Sequence, residues 1–333
     1  MVNDPRHRRL GLTSCLAVIL AGSPAGAVEL GLPLACTPGQ DCWLVRLVDH
    51  DPGPGFQDYR CGTLGSDDHD GTDFAIADPV RMAAGVPVLA AAAGEVAGVR
   101  DGMPDQPPEG RLAHDFGERN CGNGVLLRHE DGWETQYCHL RRGSVAVARG
   151  DQVAAGQQLG LVGMSGEANF PHVHLTVRRD GTELDPFTGG PASGSCGDPG
   201  TPLWLPALQG GLAYDAVPIA VVGLTDHVAE RDAIVAGTAA AERLATDSPA
   251  LVGYTLAYGL RTGDRLEIVI RGPDGGTVSE AGFALDQEAP RATRSAGRRR
   301  PADGWAPGSY RVEVRVRRGD QVFARSADFT VAQ

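Results

Sequence analysis

The sequence predicts a mainly β protein, an antiparallel β-sheet domain followed by a small immunoglobulin-like β-sandwich. Three observations carry this expectation. Glycine and proline punctuate the chain densely, 46 and 23 among 333 residues, without reaching the low complexity of a disordered segment. The short runs between them alternate apolar and polar side chains with the period of a half-buried strand, as in Leu266, Ile268 and Ile270 or Tyr310, Val312, Val314 and Val316. Nothing from Cys36 to Phe187 demands a helix of more than a turn or two. At about 100 to 200 residues per domain, the length implies two domains.

Arg6, His7, Arg8 and Arg9, the apolar stretch 10–22 and the small-residue site Ala25-Gly26-Ala27 form the pattern of a secretory signal peptide over residues 1–27. The expected location is therefore the periplasm or the extracellular space. A lipoprotein anchor at Cys15 would cut inside the apolar stretch and is set aside. That stretch is shorter than the roughly 20 residues a spanning helix needs, and no other run approaches that length, so no transmembrane segment is expected. With 30 basic against 42 acidic residues the net charge is -12. Such a balance offers no field to gather phosphate backbones and excludes nucleic acid as a partner. Once Cys15 leaves with the signal, Cys36, Cys42, Cys61, Cys121, Cys138 and Cys196 form an even set, which in an exported chain implies disulfides. Only Cys36 with Cys42 suggests itself as a local loop. No C-x-x-C pair favours a cysteine-ligated metal.

Along the chain, 28–60 is an N-terminal segment and 61–190 the first domain. Within it, 85–99 reads as two strands joined by a tight Ala-Gly turn. The polar, proline-bearing stretch 100–120 reads as a surface loop. Residues 124–129 and 133–139 read as a hairpin around Asp131-Gly132, a pair that accepts the positive φ angles of a type I′ turn. Small β-units with Gly-Asp and Ala-Gly turns fill 145–163. A Gly-, Pro- and Ser-dense stretch marks a boundary, and 191–214 is read as a linker to the sandwich over 215–333. There 253–260, 265–271 and 310–316 alternate as strands, with Pro273-Asp274-Gly275 and Ala306-Pro307-Gly308 as turns. The basic run Arg291, Arg294, Arg298, Arg299 and Arg300 reads as a solvated loop.

The chemistry converges on a few histidines. In Pro171-His172-Val173-His174-Leu175 the strand period of two puts both imidazoles on one face. In His69-Asp70-Gly71-Thr72-Asp73 an imidazole and a carboxylate stand four residues apart across a glycine that lets the chain bend. Two histidines and one aspartate, with water in the fourth position, make an open tetrahedral Zn²⁺ site of the catalytic type, leaving the other imidazole of the pair for proton transfer. His139 ends another strand, and alternation puts it on the face opposite Cys138. His50, His114, His129 and His227 have no partner motif and read as surface or packing residues, and Asn123 as structural.

The ordered set HDGTDFA (69–75), GNGVLLRHEDGWETQYCHL (122–140), GDQVAAGQQLGLVGMSG (150–166) and PHVHLTVRRDGTELDPF (171–187) resembles the lysostaphin-type (LytM-type) zinc metalloendopeptidases, peptidoglycan-hydrolysing enzymes of duplicated-hybrid-motif fold. The resemblance covers roughly residues 60 to 190 with no broken motif. It implies an antiparallel β-sheet zinc peptidase domain with a groove over one sheet. It makes His69, Asp73 and His174 the ligands of one Zn²⁺ per chain, and His139 and His172 the catalytic histidines. It implies an exported enzyme that hydrolyses the peptide cross-links of bacterial peptidoglycan through a metal-activated water, with the stem peptides as its partner. The sequence departs from the compact family core in the 100–120 insertion, in the cysteines at 121 and 138, and in the C-terminal sandwich, all of which bear on substrate choice. Two alternatives stand beside this reading: a zinc D,D-carboxypeptidase, and a catalytically silent wall-binding activator of amidases. The second should lack at least one of His69, Asp73 or His174, and all are present.

Overall fold

The computed structural model of the protein describes residue 1 and residues 26–106, 116–191 and 196–333. The expected signal peptide up to residue 25, Cys15 included, and the middle of the expected 100–120 loop with His114 lie outside the described residues.

The first half of the chain forms β1 (Cys42–Arg46), β2 (Thr72–Ile76), α1 (Pro79–Ala84), β3 (Pro87–Leu89), β4 (Gly94–Arg100), β5 (Asn123–Arg128), β6 (Trp133–Leu140), β7 (Gln152–Val153), β8 (Gln158–Leu161), β9 (His172–Arg179) and β10 (Thr182–Leu184). An antiparallel sheet runs in the order β1-β2-β9-β6-β5-β4-β7, with β10 added to β9, while β3 and β8 pair separately. The β5–β6 connection follows its residue types: Asp131 and Gly132 take φ of 55° and 76°, left-handed values that the Asp-Gly pair tolerates. Helix α1 is short and begins where the sequence prescribes, with Asp78 Oδ1 accepting from Arg81 N at 2.8 Å and Pro79 in its first turn.

The second half forms α2 (Pro206–Gln209), β11 (Ile219–Thr225), α3 (Arg231–Ala236), β12 (Ala250–Leu260), β13 (Arg265–Arg271), β14 (Thr277–Ala284), β15 (Ala289–Arg299), β16 (Gly308–Arg318) and β17 (Gln321–Val331). Its sheets run β11-β12-β15 and β14-β13-β16-β17, and their facing sides share one core. On β16 the inward Tyr310, Val312, Val314 and Val316 are all 2% exposed or less. Burying side chains of this size is worth about 1.5–3 kcal/mol each. The outward pairs Arg311–Asp328 and Arg317–Glu267 are exposed on the arginine side, where solvent screens them and they contribute little. Apolar burial therefore holds this sheet, and the charges mainly keep its outer face wet.

One expectation is corrected here. Arg291, Arg294, Arg298 and Arg299 are not in a loop; they stand on β15, opposite Tyr258, Thr255, Leu251 and Ala250 of β12. The backbone of β12 needs a partner along its length, and satisfying those groups outweighs the poor strand propensity of the Ala, Pro and Gly residues in the run.

Three apolar clusters result. The first lies under the large sheet and takes in Leu30 and Leu34 before it and Leu203, Trp204 and Leu212 after it. The second fills the sandwich. The third joins the two halves: Trp43, Val45, Ala75 and Phe170 pack with Ile234, Tyr254, Leu256 and Tyr258.

Candidate metal centre and active site

Three adjacent strands bring the expected residues together. Asp73 on β2 is the register partner of His174 on β9, and His174 is also the partner of Cys138 on β6. Directly opposed residues share a face, so the carboxylate and the imidazole meet. His69 arrives from the turn before β2. The close approach there needs Gly71, since a Cβ at that position would lie 2.6 Å from both His174 Nε2 and Leu175 O.

Hydrogen bonds fix which nitrogen each ring presents. His69 Nδ1–H donates to Leu47 O at 2.8 Å, which leaves its Nε2 lone pair 3.2 Å from Asp73 Oδ1. His174 Nε2 lies 3.0 Å from Asp70 Oδ1 and 3.0 Å from Thr176 Oγ1, while its Nδ1 faces Asp73 Oδ1 at 2.9 Å. His172 Nδ1–H donates to Phe170 O at 2.8 Å, and His139 Nδ1–H to Ser165 O at 2.9 Å. Both of these histidines thus keep an Nε2 lone pair for the groove. Their ring centroids are 4.6 Å apart.

The donor set suits a divalent metal. One ligand atom each from His69, Asp73 and His174 lies within 4.8 Å of the others. The second oxygen, Asp73 Oδ2, is buried with no hydrogen-bond partner, 4.0 Å from Arg46 Nη1 and 3.6 Å from His172 Nε2. A carboxylate in this state needs positive charge beside it. The same demand shows in His174: burial opposes its protonation, yet bonds to Asp70 and Asp73 prevail and push it up to about 10. A proton or a metal ion has to stand between Nδ1 and Asp73. Burial likewise opposes ionisation of Asp73, and the surrounding histidines outweigh it and hold the carboxyl well below its usual range. For His139 and His172 burial wins, lowering the first well below 6.5 and the second to about 4, so both rings are neutral at pH 7. A second group, Cys36, Asp41 and Cys42, also lies close, but its sulfurs are joined in a disulfide and cannot ligate.

These side chains line a groove of about 610 Å³. The alternation of β9 extends into it, since His172, His174, Thr176 and Arg178 all face it. His139 departs from expectation. Simple alternation would put it opposite Cys138, but both line the groove, because His139 takes a φ of 64° and interrupts the pleat. Cys138 is no rival for the metal, being bonded to Cys121. The other pairs are Cys36–Cys42 and Cys61–Cys196, which completes the expected set. Asn123 is buried and structural, exchanging hydrogen bonds with both backbone groups of Met103. His50 is buried against Asp185 at 2.8 Å, and His227 stands exposed beside Asp226.

Four further residues matter beyond those expected: Asp70, Arg178 and Arg46 line the groove, and Phe170 stacks on His172. Asp70 lies inside the quoted HDGTD motif, and Arg178 two strand periods beyond His174 on the same face, so a signal for both was present. Arg178 binds Gln136 Oε1 at 2.7 Å and reaches Glu183 at 3.2 Å. Arg46 and Phe170 carry no local signal, because what matters about them is a contact across the fold.

Residues 67–186 match the family model described as Peptidase family M23, and this stretch is a peptidase family M23 domain. Among curated proteins, the cell division protein DipM of Caulobacter vibrioides is 37% identical over 106 residues, 32% of this chain and 15% of that protein. The DD-carboxypeptidase/endopeptidase Mpg of Neisseria meningitidis is 37% identical over 67 residues, 20% of this chain and 15% of that one. The peptidoglycan DD-endopeptidase ShyA of Vibrio cholerae is 32% identical over 109 residues, 33% of this chain and 20% of that one. The chain thus spans 15% to 20% of the length of these relatives.

Proposed function

We propose that this protein is an exported zinc metalloendopeptidase that hydrolyses the peptide cross-links of bacterial peptidoglycan. The observation that carries the reading is the convergence of His69 Nε2, Asp73 Oδ1 and His174 Nδ1 beside the neutral rings of His139 and His172. The M23 domain and a relative named as a peptidoglycan DD-endopeptidase support the substrate class. Three disulfides support a location outside the cytoplasm.

His69, Asp73 and His174 would hold one Zn²⁺, leaving a position open. Bound there, the ion supplies Lewis acidity, which polarises a scissile carbonyl and makes water acidic near neutral pH. The chain's own residues supply the proton handling. His172 and His139 present lone pairs at Nε2, so either one can accept the water's proton. The ring that has taken the proton becomes a donor, able to steady the developing oxyanion and to protonate the leaving amine. Leu47 O and Asp70 keep the ligand rings in the orientation that aims a nitrogen at the metal.

Digestion of purified peptidoglycan by the zinc-loaded protein, with the products identified by mass, tests the reading. Loss of cross-linked dimers in favour of monomers is expected, and intact dimers after prolonged incubation would overturn it. The name of Mpg, which pairs carboxypeptidase with endopeptidase, keeps D,D-carboxypeptidase as the second reading. Release of free D-alanine from uncross-linked stem peptides, without loss of dimers, would favour that one.

A further inference from the structure

His172 is held from its own neighbour. Phe170 stacks on its ring at 4.3 Å between centroids and 25° between planes, and the Phe170 carbonyl takes the His172 Nδ1 proton. Whatever fixes Phe170 therefore fixes His172 through both ring and backbone.

Phe170 is held from both halves of the chain, and on its own side Arg46 of β1 lies 5.5 Å from its ring centroid. Phe170 belongs to the cluster that joins the two halves, and the Tyr258 ring of β12 lies 5.6 Å from it. Arg291 on β15 is the register partner of Tyr258, and its guanidinium lies 5.7 Å from the Phe170 centroid. Its Nη1 also donates to Asn169 O at 3.0 Å, and Asn169 lines the groove. One cross-strand pair of the sandwich thus grips two consecutive residues that lead into Pro171-His172. A second grip lies at β1: Arg325 of β17 stands 4.8 Å over the Trp43 ring and donates to Gln40 O at 3.0 Å. An independent wall-targeting module on a flexible tether would make neither contact.

We infer that the C-terminal sandwich is a working part of the catalytic unit, with Tyr258 and Arg291 as positioning residues that set the His172 ring through Phe170. The inference rests on the reading of His172 as a proton-transfer group. Such a group has to be held within about 0.5 Å of its working position by residues whose own rotamers are locked. A displacement of about 1 Å can cost about 100-fold in rate.

The test uses the full-length, zinc-loaded protein and a soluble cross-linked stem-peptide dimer. Tyr258→Ala and Arg291→Ala should each lower kcat by about 10-fold or more, with KM within about twofold and zinc content unchanged. Tyr258→Phe keeps the ring contact and should retain most of kcat. Side-chain nitrogen NMR supplies a readout separate from turnover: the His172 resonances should move in both alanine variants while those of His69 and His174 stay. Should Tyr258→Ala not fold, the partly exposed Arg291→Ala decides alone. Wild-type kcat with unmoved His172 resonances would overturn the inference, as would a loss equally large in Tyr258→Phe. If the wild type itself does not cut the dimer, the peptidase reading fails, and the His172 resonances still decide whether the sandwich positions that ring.

Discussion

Asp70 Oδ1 lies 3.0 Å from Nε2 of His174, on the other edge of the imidazole from Asp73, whose Oδ1 is 2.9 Å from Nδ1. A ligand histidine whose distal nitrogen is bonded to a carboxylate is both oriented and made more basic. Burial opposes ionisation of Asp70, but the bond from His174 prevails and lowers it to about 2, so the carboxylate stays charged at any working pH. Asp70→Asn keeps the shape and removes the charge. Zinc affinity, read by competition with a chromogenic chelator, should fall about 10-fold to 100-fold. Unchanged affinity would show that Thr176, also 3.0 Å from Nε2, suffices.

If His174 is a ligand and His172 a base, as proposed, the two roles should separate between variants of one strand. His69→Ala, Asp73→Ala and His174→Ala should each abolish stoichiometric zinc, since a three-ligand site has no spare donor. His172→Ala should retain the metal and lose most hydrolysis, on the order of 100-fold or more, and His139→Ala should behave alike. Metal analysis beside wall digestion reads both quantities on the same samples. Zinc lost from His172→Ala and kept by His174→Ala would reverse the two roles.

The parts of this site that were legible in the sequence are those set by local periodicity. A period of two puts His172 and His174 on one face of β9, and the i,i+4 spacing across Gly71 folds His69 back over Asp73. The Asp131-Gly132 turn was legible for the same reason, being decided by which residues tolerate positive φ. What failed was set by distant partners. His139 leaves the alternation because its backbone turns left-handed between the Cys121–Cys138 bridge and Ser165. The arginines of β15 look like a solvated loop until β12 is seen to need them as partners. Phe170 reads as one aromatic before a proline, and its meaning lies in Tyr258 and Arg291, which no local pattern connects to it.

The Cys121–Cys138 bridge should stabilise the groove wall directly. It ties Cys138, the register partner of His174, to the segment before β5, closing a loop with a sequence separation of 17. Loops of about 15 residues correspond to about 3 kcal/mol in the chain-entropy view. The double variant Cys121→Ser/Cys138→Ser should therefore lose about 2–4 kcal/mol of unfolding free energy in a denaturant titration. It should also leave Cys36, Cys42, Cys61 and Cys196 without titratable thiols under denaturing, non-reducing conditions. Six free thiols in the wild type would contradict the pairing.

Stability should also depend on pH through His129, well away from the metal ligands. Its Nδ1–H donates to Ala93 O at 2.7 Å, and its Nε2 lies 2.8 Å from Thr135 Oγ1, which is itself 3.1 Å from the Tyr137 hydroxyl. Burial lowers its pKa below 6.5, against the smaller opposing pull of Ala93 and Glu134. In the unfolded chain the ring titrates near 6.5, so just below that pH the unfolded state binds more protons than the folded one. The contribution is therefore fully present above about pH 6.5 and is lost as the pH falls toward the folded value. His129→Gln removes the titration and leaves every other group in place, so the pH dependence of the metal site cancels between the two proteins. Unfolding midpoints of the zinc-loaded wild type and variant, compared at about pH 7.5 and about pH 5.5, should differ more at the higher pH. A difference that stays constant or widens on acidification would mean that His129 is as easily protonated in the fold as outside it.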